Sequence, residues 1–311
     1  MFFIIFTFDK VLKMKYSSIS KIIKNYIDKF IRFIYRKNNG IYIFQKDWDN
    51  LIILDACRYD VFDKLANIQN ENTILRKEIS RGSHTADFLK ENFKNKKYED
   101  IVYITGNPFV DLLIKEKVYK VISVWKDGWN DEEKTVLPET MYNYTLKTIK
   151  KYPTKKFIIH FMQPHYPYIG FHMDNSFKKL KEIVLNNQKL DFEKKFKDPF
   201  NKCYESEIYS MIEERKLWKL YIHNFKLVLS YVEKLIKILP GKIVITADHG
   251  EALGDKINKW VPIKLYGHKI GYRIKPLVEI PWLEVPNKQF QIERDSYEKK
   301  LILKAREKFT E

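Results

Sequence analysis

Apolar, mostly β-branched runs recur along the chain, and two of them stop abruptly at polar residues. Leu51-Ile52-Ile53-Leu54 runs into Asp55-Ala56-Cys57-Arg58-Tyr59-Asp60, and Ile243-Val244-Ile245-Thr246-Ala247 runs into Asp248-His249-Gly250-Glu251. Short continuous apolar runs read as strands buried on both faces. Further strands are predicted at 101–104, 121–124 and 157–161, with a late pair at 272–274 and 282–285. Apolar residues at helical spacing predict helices near 85–93, 139–150, 176–185 and 206–238. Leu239-Pro240-Gly241 ends the last of these. The Lys-rich, polar stretch 186–199 reads as a surface excursion. Strands alternating with helices predict an α/β fold, a central, largely parallel mixed sheet covered by helices on both faces. In such sheets ligands lie outside the carboxyl ends of the strands, which is where Asp55, Asp248 and His249 fall.

The N-terminal region has a different pattern. The run Phe2-Phe3-Ile4-Ile5-Phe6 is far short of the roughly 20 residues that span a bilayer. It also lacks the charged start and small-residue cleavage site of a signal peptide. A Lys-rich stretch follows with Ile22, Ile23, Tyr26, Ile27, Phe30 and Ile31 at helical spacing, and Asn38-Asn39-Gly40 breaks it. Residues 1–40 are therefore expected to form a basic amphipathic helix and residues 41–311 a single domain. That helix is read as packed on the domain, with contact to a membrane surface as the alternative.

The formal net charge of +17 favours anionic partners, although such charge is often only solvated surface. No nucleic-acid partner is expected from it. Two cysteines, Cys57 and Cys203, form neither a disulfide framework nor a zinc motif. A reducing, cytoplasmic location is expected, peripheral to the membrane if the N-terminal helix lies on one. Carboxylate and imidazole at adjacent strand ends suit Zn²⁺ or Mn²⁺, with Ca²⁺ or Mg²⁺ as alternatives. Between the two strand-end acids, Ser80-Arg81-Gly82-Ser83-His84-Thr85-Ala86-Asp87 puts hydroxyls at the start of a helix, where backbone N–H groups attract anions. Thr85 is the better N-cap of the two.

The strand-end Asp55, this hydroxyl segment and the late Asp248-His249-Gly250-Glu251 together resemble the sulfatase-like branch of the alkaline phosphatase superfamily, from about residue 51 to residue 283. The resemblance implies a Ser or Thr nucleophile ionised by a metal. Ser83 is expected in that role on its spacing to Asp87 and the preceding Gly82, with Thr85 as the alternative. Asp55, Ser83, Asp248 and His249 would then form the metal shell. His165, in Gln163-Pro164-His165-Tyr166-Pro167, is similar to the family's Pro-His-x-Pro stretch. His268, in Leu265-Tyr266-Gly267-His268, matches a late Gly-His of its phosphoethanolamine- and glycerophosphate-transferring members. Both are expected to bind substrate or act on the leaving group, with an outer metal ligand as the alternative for His268. Pro276 to Trp282 resembles the family's closing strand. His160, inside its strand by alternation, is expected to be a core histidine. Arg58 is expected either to bind substrate oxygens or to pair with Asp60 or Asp63.

Departures from the pattern narrow the activity. The sulfatase signature, Cys or Ser followed by Pro, Ser/Thr and Arg, is not present at Ser83-His84-Thr85-Ala86-Asp87, which argues against formylglycine. No Asp-x-x-x-His completes a two-metal set, so one metal is expected. The function implied is hydrolysis or transfer of phosphoesters through a covalent phospho-Ser/Thr intermediate. The substrate is expected to be anionic and phosphorylated, glycan- or lipid-linked. The rivals are a sulfatase and an inactive sulfatase-like module that binds anionic glycans or membrane.

Overall fold

The computed structural model describes residues 29–34, 36–68, 73–94, 96–171, 208–209, 212–257 and 264–286. Strand β1 (Asn50–Leu54) lies at the centre of a seven-stranded sheet, with β8 (Ile243–Thr246) on one side and β7 (Lys156–Phe161) on the other. Both pairings are parallel. β3 (Tyr98–Thr105) and β4 (Val118–Ser123) extend the sheet beyond β7 in the same sense. Beyond β8, β11 (Glu279–Val285) is antiparallel, and β2 (Ile74–Ile79) pairs with its outer side. The fold class is α/β, a mixed, mostly parallel sheet with helices on both faces.

Alternation along the central strands divides the core in two. Ile52 and Leu54 of β1, Phe157, Ile159 and Phe161 of β7, and Ile243 and Ile245 of β8 face one layer. That layer is closed by α5 (Pro138–Lys151) and α6 (Glu214–Ile236), whose Leu217, Tyr221, Phe225, Val228 and Val232 repeat at helical spacing. Leu51, Ile53, Ile158 and Val244 face the other layer, under Phe88, Leu89 and Phe93 of α2 (Thr85–Phe93) and Val110 and Ile114 of α3 (Phe109–Ile114). Sides buried this fully account for unbroken apolar runs.

Some sequence expectations differ from the structure. Residues 272–274 form no strand; Tyr272 and Ile274 are apolar because they pack in a small third cluster beside α7 (Lys275–Val278). β2 was not expected, because its Arg76, Lys77 and Glu78 give it an edge strand's polar pattern. The hairpin of β9 (Ala252–Lys256) and β10 (Lys264–Gly267) was not expected either. The long helix begins at Glu214 rather than near 206. The predicted helix 176–185, the excursion 186–199 and most of the N-terminal helix lie outside the described residues. Among the described residues no helix is long and apolar enough to cross a membrane.

Candidate active site

In the parallel pairing of β1 with β8, Ile53 stands beside Thr246. Two residues further along that register, Asp55 and Asp248 emerge side by side at the carboxyl edge of the sheet. His249 follows, and the three residues offer ligand atoms that all lie within 4.8 Å of one another. His249 Nε2 is 3.5 Å from Asp55 Oδ1 and 3.4 Å from Asp248 Oδ2. Its Nδ1–H donates to the Gly250 carbonyl at 2.8 Å, which fixes the tautomer and turns the Nε2 lone pair toward the carboxylates.

The local backbone is built for this approach. Ala56 takes a left-handed conformation with φ of 59°, costly for a residue with a Cβ. It is held there by its N–H to Asp248 Oδ1 (3.2 Å) and by the Tyr221 hydroxyl from α6, which donates to its carbonyl at 2.8 Å. Gly250 is required by crowding, since a Cβ there would sit 2.1 Å from the Pro276 carbonyl oxygen.

The electrostatics call for a cation. Asp55, Asp248 and His249 are buried. Burial first, then the adjacent Asp248, push the Asp55 carboxyl well above the usual carboxylate range. Asp248 is held below that range despite burial, chiefly by His249. His249 is held above its ordinary value, against burial, by the two aspartates. Asp55 Oδ2 accepts from Asn107 Nδ2 at 2.8 Å, while Asp55 Oδ1 has no hydrogen-bond partner. A buried carboxylate oxygen in that state, facing an imidazole lone pair and a second carboxylate, fits a divalent metal ion.

Thr85, the first residue of α2, completes this arrangement. Its hydroxyl donates to Asp248 Oδ2 at 2.7 Å and lies 3.4 Å from His249 Nε2, with Asn107 Nδ2 donating to it at 3.4 Å. A hydroxyl at a helix N-terminus, against a metal-type cluster at the edge of a parallel sheet, invites comparison with known folds. No family model matches the sequence, and no curated protein matches it. Solved structures do. The soluble domain of lipooligosaccharide phosphoethanolamine transferase A from Neisseria meningitidis is similar over 78% of this chain and 77% of its own, at 16% identity and a TM-score of 0.52. The integral membrane form of that transferase is similar over 88% of this chain and 55% of its own, at 15% identity and a TM-score of 0.53. The C-terminal periplasmic domain of phosphoethanolamine transferase EptC from Campylobacter jejuni covers 77% of this chain and 79% of its own, at 15% identity and a TM-score of 0.49.

The chain shares the fold of these phosphoethanolamine transferase domains.

The cytoplasmic location expected from the cysteines is not supported: the similar structures are the soluble domain and the integral membrane form of one transferase. The inference was weak at source, because Cys57 is a free thiol buried in the core and says nothing of its surroundings.

Within this fold, Ser83 is not brought to the metal-type cluster. Its hydroxyl donates to the Lys269 carbonyl at 3.0 Å and accepts from Gly271 N at 2.9 Å, so it pins the turn after β10. The Ser83–Asp87 spacing has a different origin. Asp87 accepts from Ser83 N at 3.1 Å, and His84 caps the helix by accepting from Ala86 N, an arrangement close to a capping box. Arg58 is not available to a substrate. Its buried guanidinium pairs with Asp60 and Asp255, donates to the Glu251 carbonyl and lies over the Trp218 ring. It therefore ties β1 to the β9 hairpin.

His165 and His268 gather beside His249. His165 and His268 lie with ring centroids 4.9 Å apart, and His268 is 4.3 Å from His249. His268 Nδ1 is 3.1 Å from Glu251 Oε1, and the Tyr209 hydroxyl donates to Glu251 Oε2 at 3.3 Å. His165, Glu251 and His268 form a second group of donors within 4.8 Å of one another. The His165 loop is clamped by Asn224 of α6, which donates to the carbonyls of His165 and Pro167.

His160 is buried, but its role is not only packing. Its Nδ1 meets the Tyr103 hydroxyl at 3.0 Å, and its Nε2, with no hydrogen-bond partner, faces Asp248 Oδ2 at 3.7 Å and Asp55 Oδ2 at 3.9 Å. Burial pushes it down to about 4, so it stands neutral beside the carboxylates. Sequence reasoning missed Asn107 and left Glu251 without a role. The only signal for Asn107 was its place just past β3, on the same sheet edge.

Proposed function

We propose that the chain is a metal-dependent phosphoester hydrolase or phosphotransferase that works through a covalent phosphothreonine at Thr85. The observation that carries this reading is the Thr85 hydroxyl, 2.7 Å from Asp248 Oδ2 and 3.4 Å from His249 Nε2 at the start of α2. A divalent cation, Zn²⁺ or Mn²⁺ on the donor set, held by Asp55, Asp248 and His249, would lower the pKa of that hydroxyl and attract a phosphoryl oxygen. Asp248 orients the Thr85 oxygen through its hydrogen bond, and the proton leaves along that bond as Oγ1 attacks phosphorus. The α2 N-terminus supplies backbone donors for the transferred group. His268, oriented by Glu251, protonates the departing oxygen with His165 beside it. The same imidazole then takes a proton from the water or acceptor hydroxyl that attacks phosphothreonine.

The substrate proposed is a phosphoester on a lipid or glycan, in keeping with the lipooligosaccharide transferase that shares the fold. The basic charge suits such anionic substrates. Sulfatase chemistry through formylglycine is disfavoured, because a threonine cannot supply it. The test is a panel of p-nitrophenyl phosphate, a phosphodiester and a sulfate ester, with Zn²⁺ or Mn²⁺, on wild type, Thr85→Ala and Ser83→Ala. Intact mass is read for one added phosphoryl group. Turnover in wild type and Ser83→Ala but not in Thr85→Ala, with the adduct on Thr85, is the expected result. Metal-free purified protein with no turnover on any ester would favour a binding module instead.

A further inference from the structure

We infer that the His84 imidazole is a further substrate-binding group, whose Nε2–H donates to an equatorial oxygen of the phosphoryl group held at Thr85. The inference rests on the phosphoryl-transfer reading and assigns a residue that the sequence motif left without a role.

His84 is the N-cap of α2, in extended conformation with φ of −163° and ψ of 151°. Its Nδ1 accepts the Ala86 backbone N–H at 3.0 Å. A neutral imidazole has one donor and one acceptor nitrogen, so a capping Nδ1 places the proton on Nε2, across the ring from the helix. Ser, Thr, Asp and Asn are the preferred N-caps. An imidazole here meets the capping need and adds a second polar atom beyond it.

The ring also lies among the candidate catalytic groups. Its centroid is 4.9 Å from that of His268 and 6.0 Å from that of His249, nearly parallel to the latter at 20°. Phe109 meets it edge-on at 5.3 Å. His84 and His165 are half-buried, while Asp55, Asp248 and His249 are buried. The two imidazoles therefore stand on the solvent side of the cluster, where a phosphoryl group must enter. His84 is also the residue next to Thr85, so its position is fixed relative to the attacking oxygen by a single peptide. A transferring phosphoryl group spreads charge over three equatorial oxygens. A preset donor beside the nucleophile is what such charge requires.

Capping and donation can be separated by two variants. His84→Ser keeps a good N-cap but is too short to reach an oxygen at Thr85. His84→Gln is a poor cap but carries an N–H donor at nearly the reach of Nε2. Each is compared with Zn²⁺- or Mn²⁺-loaded wild type by calorimetric titration with inorganic phosphate, by melting temperature, and by kcat and KM on the ester that wild type turns over. His84→Ser is expected to melt like wild type, with phosphate affinity lowered about 10- to 100-fold and kcat reduced. His84→Gln is expected to melt earlier and to keep affinity near that of wild type. Phosphate affinity and kcat unchanged in His84→Ser would reduce His84 to a cap and overturn the inference. Equal loss of affinity in both variants would also overturn it. Failure of the underlying reading looks different, because metal-loaded wild type would then bind no phosphate at all.

Discussion

The hydroxyls of Thr85 and Ser83 are both buried, two residues apart, and face different partners. Thr85 meets Asp248 and His249; Ser83 satisfies a carbonyl and an N–H of the turn at Lys269 to Gly271. Thr85→Ala should therefore lower turnover by roughly 10³-fold or more, as loss of a nucleophile does, with little change in melting temperature. Ser83→Ala should keep turnover and lose about 1–3 kcal/mol of stability, the cost of leaving buried polar partners unmatched. Loss of turnover in the Ser83 variant at unchanged stability would reverse the two roles. Glu251 offers a second residue-scale test. Held between His268 and the Tyr209 hydroxyl, it fixes the His268 ring as outer carboxylates fix ligand histidines. Glu251→Gln should lower kcat about 10- to 100-fold and shift its pH profile, with KM little changed. A mere packing role would leave the profile where it is.

At the scale of elements, the strands that matter most were the easiest to read. The central stretches of β1, β3, β7 and β8 are buried on both faces, so their runs are largely apolar, and two of them end visibly at Asp55 and Asp248. Edge strand β2 was not legible, because half its residues meet water. The Ser83–Asp87 spacing has a second physical reading: capping geometry at a helix start and a nucleophile motif use the same residue types. His160 was read by alternation as inward-facing, which it is, but alternation does not reveal that near the end of β7 inward means toward two carboxylates. Arg58 shows how an element junction is secured. Against burial, which pushes it up, hydrogen bonding and charge from Arg58 hold Asp60 below the usual carboxylate range. A depressed carboxyl pKa contributes stability above its unfolded value and loses it as pH falls through the folded one. Asp60→Asn should thus melt earlier than wild type at neutral pH, and the gap should close below about pH 4. A gap that persists in acid would mean the ion pair contributes nothing there.

For the whole molecule, the proposed metal reading links stability to the site. Without metal, burial and Asp248 raise Asp55, while the two aspartates raise His249 against burial. Stability from a raised group is complete below its unfolded pKa and is lost as pH rises through the folded pKa. The lowered Asp248 makes its contribution at any pH above the carboxylate range. As pH rises above the ordinary carboxylate and imidazole ranges, through the raised folded values of Asp55 and His249, the metal-stripped protein should therefore lose stability. Metal-loaded protein should not, since the cation replaces the protons. The difference in melting temperature between the two forms should widen across that window; a constant difference would mean that Asp55 and His249 are not the ligands.

β1 and β8 are neighbours in the sheet, yet Ala56 and Asp248 are 192 residues apart in the chain. On the ribosome, at about 5–20 residues per second, Asp55 emerges roughly 10–40 s before its partners exist. Through that interval the nascent chain carries one acid and no chelate, so a metal cannot select the fold early. Under the proposed reading it could only fasten a sheet whose central strands have already found each other.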